Sequence, residues 1–408
     1  MTTARRRAVG ALALAFLAAV YAVGVVLLWR SSIPGGLDLP NLDAREYFGA
    51  AALEKARDYQ RFVRVNFILT QVALLFVLGF YAVFGPRFAR ESAAGRIGTG
   101  MLLGMIGLAF LWLAQLPFGL AQLWWERRHG ISHMGYGRWV LENWLGLGGA
   151  FLFICLAILI VMALAGPLRE WWWLAGAPAF VGLALLFAFL FPYLLPGVHP
   201  VRDQALLAEA KELAAQQGLE DIRVEKQDVR ELTSAPNAEA VGLGPSQRLI
   251  LWDTLLDGRF AKDEVRVVLA HEIGHLSRNH IWKSVAWYAL FALPGAYLIA
   301  RATRRRGGVY TPAAIPLALF VLVVLELLAL PLQNGITRHL EAEADWLALE
   351  TAREPEAAER LFVRLGTTSL SDPRPPTWSY LLMQTHPTLI QRIAMAEAWK
   401  IRAGHASP

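Results

Sequence analysis

The chain reads as a mainly α-helical, multi-pass membrane protein that also carries a polar domain with a small β-sheet. Three observations predict this. Hydrophobic residues fill 56% of the 408 positions and charged residues only 18%, a balance too apolar for an ordinary soluble protein. Seven apolar runs approach or reach the length that spans a bilayer, about 20 residues in a helix. Two polar stretches, 201–283 and 333–408, interrupt those runs.

The first five runs are Val9–Trp29, Phe67–Phe84, Met101–Leu120, Leu145–Ala165 and Trp172–Leu195. Val9–Trp29 follows Arg5–Arg7 in the manner of a signal peptide. It is too long for the apolar part of one and lacks a clear cleavage site, so it reads as an anchor. Two more runs, Ser284–Ala300 and Ala313–Leu332, form a hairpin. The predicted organisation is a five-helix membrane region (1–200), the first half of a polar domain (201–283), a membrane hairpin (284–333) and the second half of that domain (334–408). Between the first two runs, "FGAAALEKARDYQRFVR" (Phe48–Arg64) is amphipathic. It suits a helix lying at the membrane interface or a solvated helical arm.

Charge and cysteine content narrow the function. The net charge is +6, but the arginines are scattered over loops and ends. That suits lipid headgroups and excludes nucleic acid, which draws basic residues into a cluster. The one cysteine, Cys155, can form no internal disulfide. A metal site would therefore use His, Asp or Glu.

The polar domain has recognisable elements. "VRDQALLAEAKELAAQQG" reads as an amphipathic helix closed by Gly218. "DIRVEKQ" (221–227), "AEAVGL" (238–243) and "RLILW" (248–252) read as short strands, the last two joined by the turn "GPSQ" into a hairpin. "AKDEVRVVLAHEIGHLSRNH" (261–280) reads as a helix with Asp263 and Glu264 at its positive end. Three helices, broken around "SDPRPPTW", are expected over 333–408.

The chemistry is concentrated in "HEIGH". His271 and His275 are four residues apart and stack on one helix face, so both imidazoles can bind one metal. Glu272 stands about 100° round the helix. From there it can take a proton from a water that zinc has made acidic, without binding the metal itself. In "ITRHLEAEADWLALE" (336–350), Glu341 and Asp345 share a face and Glu343 points largely away. We read Glu341 as the third zinc ligand and Asp345 as a carboxylate that orients a ligand from behind. His280 either supports the site from its helix or lies on the surface. Two apolar runs separate His275 from Glu341, so the half-sites can meet only if both runs cross the membrane or neither does.

These features resemble the Ste24-type CAAX prenyl proteases, membrane zinc peptidases of family M48 related to the HtpX heat-shock proteases. The resemblance is carried by "NAEAVGLGPSQRLILWDTLL" (237–256), "VLAHEIGHLSRNH" (268–280), "RHLEAEADWLAL" (338–349) and "THPTLIQRI" (385–393), in the family's order. The chain departs in "HPT" at 386–388, where the family often has "HPP". The resemblance implies seven membrane helices around a water-filled chamber, closed at one end by a gluzincin-like protease domain with one zinc ion. His271, His275 and Glu341 would hold the zinc and Glu272 would be the general base. Asn237 and Ala238 would lie on an edge strand that pairs with the substrate backbone. His386 and Arg392 would hold the scissile carbonyl or its oxyanion.

Glu326, within "LFVLVVLELLAL", suits such a chamber. An ionisable group there is costly unless it faces protein or water, or pairs with an arginine near the helix end. The expected partners are the bilayer and a peptide or protein substrate, lipidated or membrane-embedded. The expected activity is CAAX-type carboxyl-terminal processing. The alternatives are HtpX-like quality control and a non-catalytic membrane protein with a structural metal. Positive charge in the short loops is nearly even on the two sides, slightly favouring a cytoplasmic amino terminus. The family's active site faces the cytosol, and that is the expectation followed.

Overall fold

Apolar stretches without helix breakers make long helices, because a bilayer leaves every backbone N–H and C=O to be satisfied within its own segment. The structure is a computed structural model that describes residues 18–90 and 94–406. Its apolar helices are α1 (Ala18–Leu28), α3 (Ala50–Phe84), α4 (Gly95–Arg128), α5 (Tyr136–Leu168), α6 (Trp173–Leu194), α9 (His280–Thr303) and α10 (Ile315–Ala352). A short helix, α2 (Ala44–Phe48), precedes α3. Six helices among the described residues are long and apolar enough to cross a membrane. The first expected run, Val9–Trp29, lies partly outside the described residues, and α1 falls within its described part. Side chains such as Phe76, Leu152 and Leu328 are 73%, 77% and 72% exposed, as lipid-facing residues should be.

Two helices are longer than expected. The amphipathic stretch 48–64 is neither a separate interfacial helix nor an isolated arm. From Ala50 it is continuous with the next apolar run, making a helix of 35 residues. No proline interrupts it, and its first glycine is Gly79. At 1.5 Å per residue it extends about 50 Å, well beyond a hydrocarbon core of about 30 Å. Helix α10 likewise runs 38 residues, from the last apolar run through the "EAEAD" segment, with Pro331 inside it. No break falls between residues 333 and 334, and α9 begins at His280.

The polar domain is built on a four-stranded sheet in the order β1-β2-β4-β3. The strands are β1 (Val198–Pro200), β2 (Val224–Gln227), β3 (Ala238–Val241) and β4 (Arg248–Trp252). The expected hairpin is β3 and β4, antiparallel with Ala238 opposite Leu251, while β2 and β4 run parallel. Strand β1 was not anticipated: three residues, two of them exposed, carry no alternation to read. Trp252 N donates to the Asn237 carbonyl at 3.0 Å. Antiparallel ladders alternate, so residues 237, 239 and 241 bond inward to β4. Ala238 and Ala240 therefore turn their N–H and C=O groups to the open edge.

Helix α8 (Lys262–Ser277) passes beneath this sheet. Its start is capped by Glu264, whose Oε2 accepts from Ala261 N at 2.8 Å. Leu269, Ala270 and Ile273 are fully buried with Leu249 and Leu251 of β4 in one core. The helices α7 (Gln204–Gln216), α11 (Pro355–Thr368), α12 (Thr377–Met383) and α13 (Leu389–Ala406) complete the domain. Gly274 sets the approach of α8 to α10: a Cβ there would meet Ala344 Cα at 3.4 Å. At the end of α8, Asn279 adopts a left-handed conformation, φ 55°, which Asn tolerates well. The chain turns there directly into α9.

Candidate active site

The close packing of α8 on α10 brings the two distant halves of the sequence together. His271 Nε2 and His275 Nε2 are 3.1 Å apart. Glu341 Oε2 lies 3.2 Å from His271 Nε2, and Oε1 lies 3.6 Å from His275 Nε2. Each residue offers one ligand atom, all within 4.8 Å of one another. Asp345, four residues on, meets the other edge of His271, with Oδ1 2.9 Å from Nδ1.

This cluster fits a cation. Glu341 Oε2 is buried and has no well-directed hydrogen-bond donor, although imidazole nitrogens of His271 and His386 approach to 3.2 and 3.1 Å. The nitrogen and oxygen atoms of the three side chains crowd around a common point. The same carboxylates favour positive charge at this point: burial disfavours a charged His271, but Asp345 and Glu341 overcome it and push its pKa up to about 10, so a bound cation would take the place of the proton on Nε2. With three protein donors among the described residues, the set is one short of a closed tetrahedral shell, the arrangement of a catalytic rather than a structural metal site.

Both histidines are held from behind. Asp345 is gripped by Arg392, through Nε and Nη2 at 2.8 and 2.6 Å, and the guanidinium lies 4.2 Å over the Phe362 ring. Burial opposes the Arg392 charge, but Asp345 keeps its pKa raised. Behind His275, His280 Nδ1 is 2.9 Å from His275 Nδ1, and His280 Nε2 is 3.0 Å from Glu343 Oε2. Glu343 does point away from the Glu341 face. It enters a second buried cluster with Lys283 Nζ at 2.9 Å and Ser32 N at 2.7 Å. Of the two readings of His280, the buried supporting one matches its 3% exposure. Sequence reasoning missed Glu343 and Lys283. A mid-helix acid with a lysine three residues after His280 was the available signal.

A cleft of about 260 Å³ opens over the cluster, lined by Asn237, Ala238, His271, Glu272, His386 and Arg392 among others. Glu272 is 8% exposed and faces this space beside the pair of histidines. His386, on the loop before α13, leans over the mouth with Nε2 3.1 Å from Glu341 Oε2 and half its side chain exposed. Arg392, on the first turn of α13, stands behind Asp345 rather than beside His386. Glu239 on β3 is half-buried, and both burial and the Glu272 charge raise its pKa. In the membrane part, Glu326 is exposed and, among the described residues, pairs with no basic group. It lies within electrostatic reach of Tyr288 on α9.

Comparison with known proteins agrees with this architecture. Residues 200–400 match the model of peptidase family M48. An uncharacterised metalloprotease, YhfN of Bacillus subtilis, is 28% identical over 283 residues, 66% of each chain, so the aligned part spans about two thirds of that relative. A CAAX prenyl protease 1 homologue of Oryza sativa is 26% identical over 315 residues, 72% of this chain and 73% of that one. The fold matches the crystal structure of S. mikatae Ste24p with a TM-score of 0.73 at 20% identity, over 94% of this chain and 97% of that one. On the strength of its family match, its membrane helices and its HEIGH and EAEAD helices, the chain belongs to peptidase family M48 as a multi-pass membrane metallopeptidase with the fold of Ste24p.

Proposed function

We propose that the protein is a zinc endopeptidase that cuts an extended polypeptide presented at the membrane. One observation carries this reading: the donor set of His271, His275 and Glu341 opens toward a cleft that also holds Glu272 and the free edge of β3. Zinc suits two imidazoles and a carboxylate, and when bound it supplies Lewis acidity that lowers the pKa of water to about 7. Glu272 takes the proton of the attacking water and hands it to the leaving amine. The outward backbone groups of Ala238 and Ala240 pair with the substrate strand, with Asn237 beside the entering chain. His386 donates to the oxygen of the scissile carbonyl as it becomes negative. Arg392 acts as a positioning residue, fixing Asp345 and through it the ring of His271.

The substrate class follows the rice relative, whose name makes it a CAAX prenyl protease: a lipid-anchored carboxyl-terminal segment. Glu326 of α10, with no basic partner among the described residues, supports an aqueous space among the membrane helices from which such a segment reaches the cleft. We assign the site to the cytosolic face, as the resemblance to the family implies, and a reporter fused to the carboxyl terminus reads that side directly. The deciding experiment is Glu272→Gln in the purified chain. It should bind one zinc per chain as the wild type does and cleave neither a prenylated nor an unprenylated carboxyl-terminal peptide. Cleavage that survives the change disproves the mechanism. Equal cleavage of the two peptides by wild type removes the lipid from the substrate.

A further inference from the structure

We propose that His280 and Glu343 position His275 for the metal, and that the segment leaving the first apolar helix completes this arrangement through the Ser32 N–H. The inference rests on the reading of His271, His275 and Glu341 as a metal site. The geometry fixes the order of protons. His275 Nε2 faces His271 and Glu341 and must keep its lone pair there, so its proton sits on Nδ1. That nitrogen lies 2.9 Å from Nδ1 of His280. His280 must then accept at Nδ1 and carry its own proton on Nε2, 3.0 Å from Glu343 Oε2. Each tautomer is set by the next, ending on a carboxylate that can only accept.

That carboxylate is 2% exposed and would be costly without donors of its own. It receives three: the His280 N–H, Lys283 Nζ at 2.9 Å and Ser32 N at 2.7 Å. The Ser32 donor comes from 311 residues away in sequence. The chain just before it is pinned to the same helices. The Trp29 ring stacks on His339 with centroids 4.2 Å apart, the Trp29 carbonyl lies 2.9 Å from His339 Nε2, and Lys283 reaches the Arg30 carbonyl at 3.4 Å. The amino-terminal helix is thus coupled to one metal ligand by a continuous path of four hydrogen-bonding groups. His271 has a separate support, Asp345 and Arg392.

The test is zinc affinity of the purified full-length chain, measured by competition with a chromophoric chelator. Removing a group that orients a metal ligand costs roughly 10–100-fold in affinity, and His280→Leu, which keeps bulk without an acceptor, should show a loss of that size. His280→Asn returns an amide oxygen near the position of Nδ1 and should recover most of it. A packing role alone would rank the two variants the other way. Ser32→Pro removes the backbone donor, together with the hydroxyl and the freedom of φ, and should weaken zinc several-fold while leaving residues 271–280 unchanged, whereas Ser32→Ala, which keeps the N–H, should bind as the wild type does. Ser32→Pro and Glu343→Gln decide the matter should the His280 variants fail to fold. Wild-type affinity in His280→Leu, or in both Ser32→Pro and Glu343→Gln, overturns the proposal alone. A wild-type chain that binds no zinc overturns the metal-site reading beneath it.

Discussion

Arg392 meets Asp345 at two points, Nε on Oδ2 at 2.8 Å and Nη2 on Oδ1 at 2.6 Å, and Asp345 reaches His271 Nδ1 at 2.9 Å. The first turn of α13 is therefore tied through one carboxylate to the first imidazole of the HEIGH helix. Breaking a buried pair by removing one partner leaves an uncompensated charge and costs about 3–5 kcal/mol. Asp345→Ala should lose stability on that scale and bind zinc more weakly. Asp345→Ala combined with Arg392→Met should recover part of the stability but not the zinc affinity. Denaturant unfolding of the zinc-free protein, set beside chelator competition, separates the two effects.

His386 stands over the cleft without enclosing it, half exposed and 3.1 Å from Glu341. Loss of one donor to a developing oxyanion typically costs about 10²–10³ in kcat. His386→Ala should show a fall of that order in kcat, with KM little changed and one zinc still bound. A variant that loses its zinc instead would make His386 a ligand. Stoichiometry by elemental analysis distinguishes these outcomes.

The open edge of β3 gives a backbone prediction. Ala238 turns its N–H outward, so Ala238→Pro removes a donor that the sheet does not use, at an edge position where proline is tolerated. Cleavage of extended peptides should drop at least about tenfold, the loss of one hydrogen bond of about 1.5 kcal/mol, while the thermal midpoint moves little. A proline at Val241, whose N–H faces β4, should instead unfold the hairpin.

Glu239 predicts a pH dependence. Burial and the nearby Glu272 raise its pKa in the folded protein, so the folded state holds this proton to higher pH than the unfolded chain does. Its effect on stability is nil at low pH, where both states are protonated. Stability then declines as pH rises from the ordinary carboxylate range through the raised value. Glu239→Gln should match wild type near about pH 4 and become the more stable of the two toward about pH 7. Thermal midpoints across that range check it, and a gap that is constant with pH refutes it.

How legible was this molecule in its sequence? The faces of the candidate metal cluster were legible in spacing, because residues four apart on a helix share a face: His271 with His275, and Glu341 with Asp345; the resemblance supplied the ligand roles. That these faces meet was constrained by the even number of runs between them. The supports behind the ligands were only half legible. Asp345 follows from its helical spacing, but Glu343 was set aside as pointing away. The partners that give it a role, His280, Lys283 and Ser32, come from a different helix and from a loop at the far end of the chain. Continuity of α3 and α10 was missed for another reason. Amphipathic and apolar halves of one helix have different periodicities, so a window reading splits them where the backbone does not. Strand β1 is too short to leave a pattern, and it forms because β2 offers it an edge.

Helix α10 delivers Glu341 only after both members of the membrane hairpin, α9 and α10, have been made. A nascent chain that has emerged as far as His280 holds the HEIGH helix but lacks the third donor. On the proposed ligand set, the full donor trio therefore exists only once the whole hairpin has been synthesised.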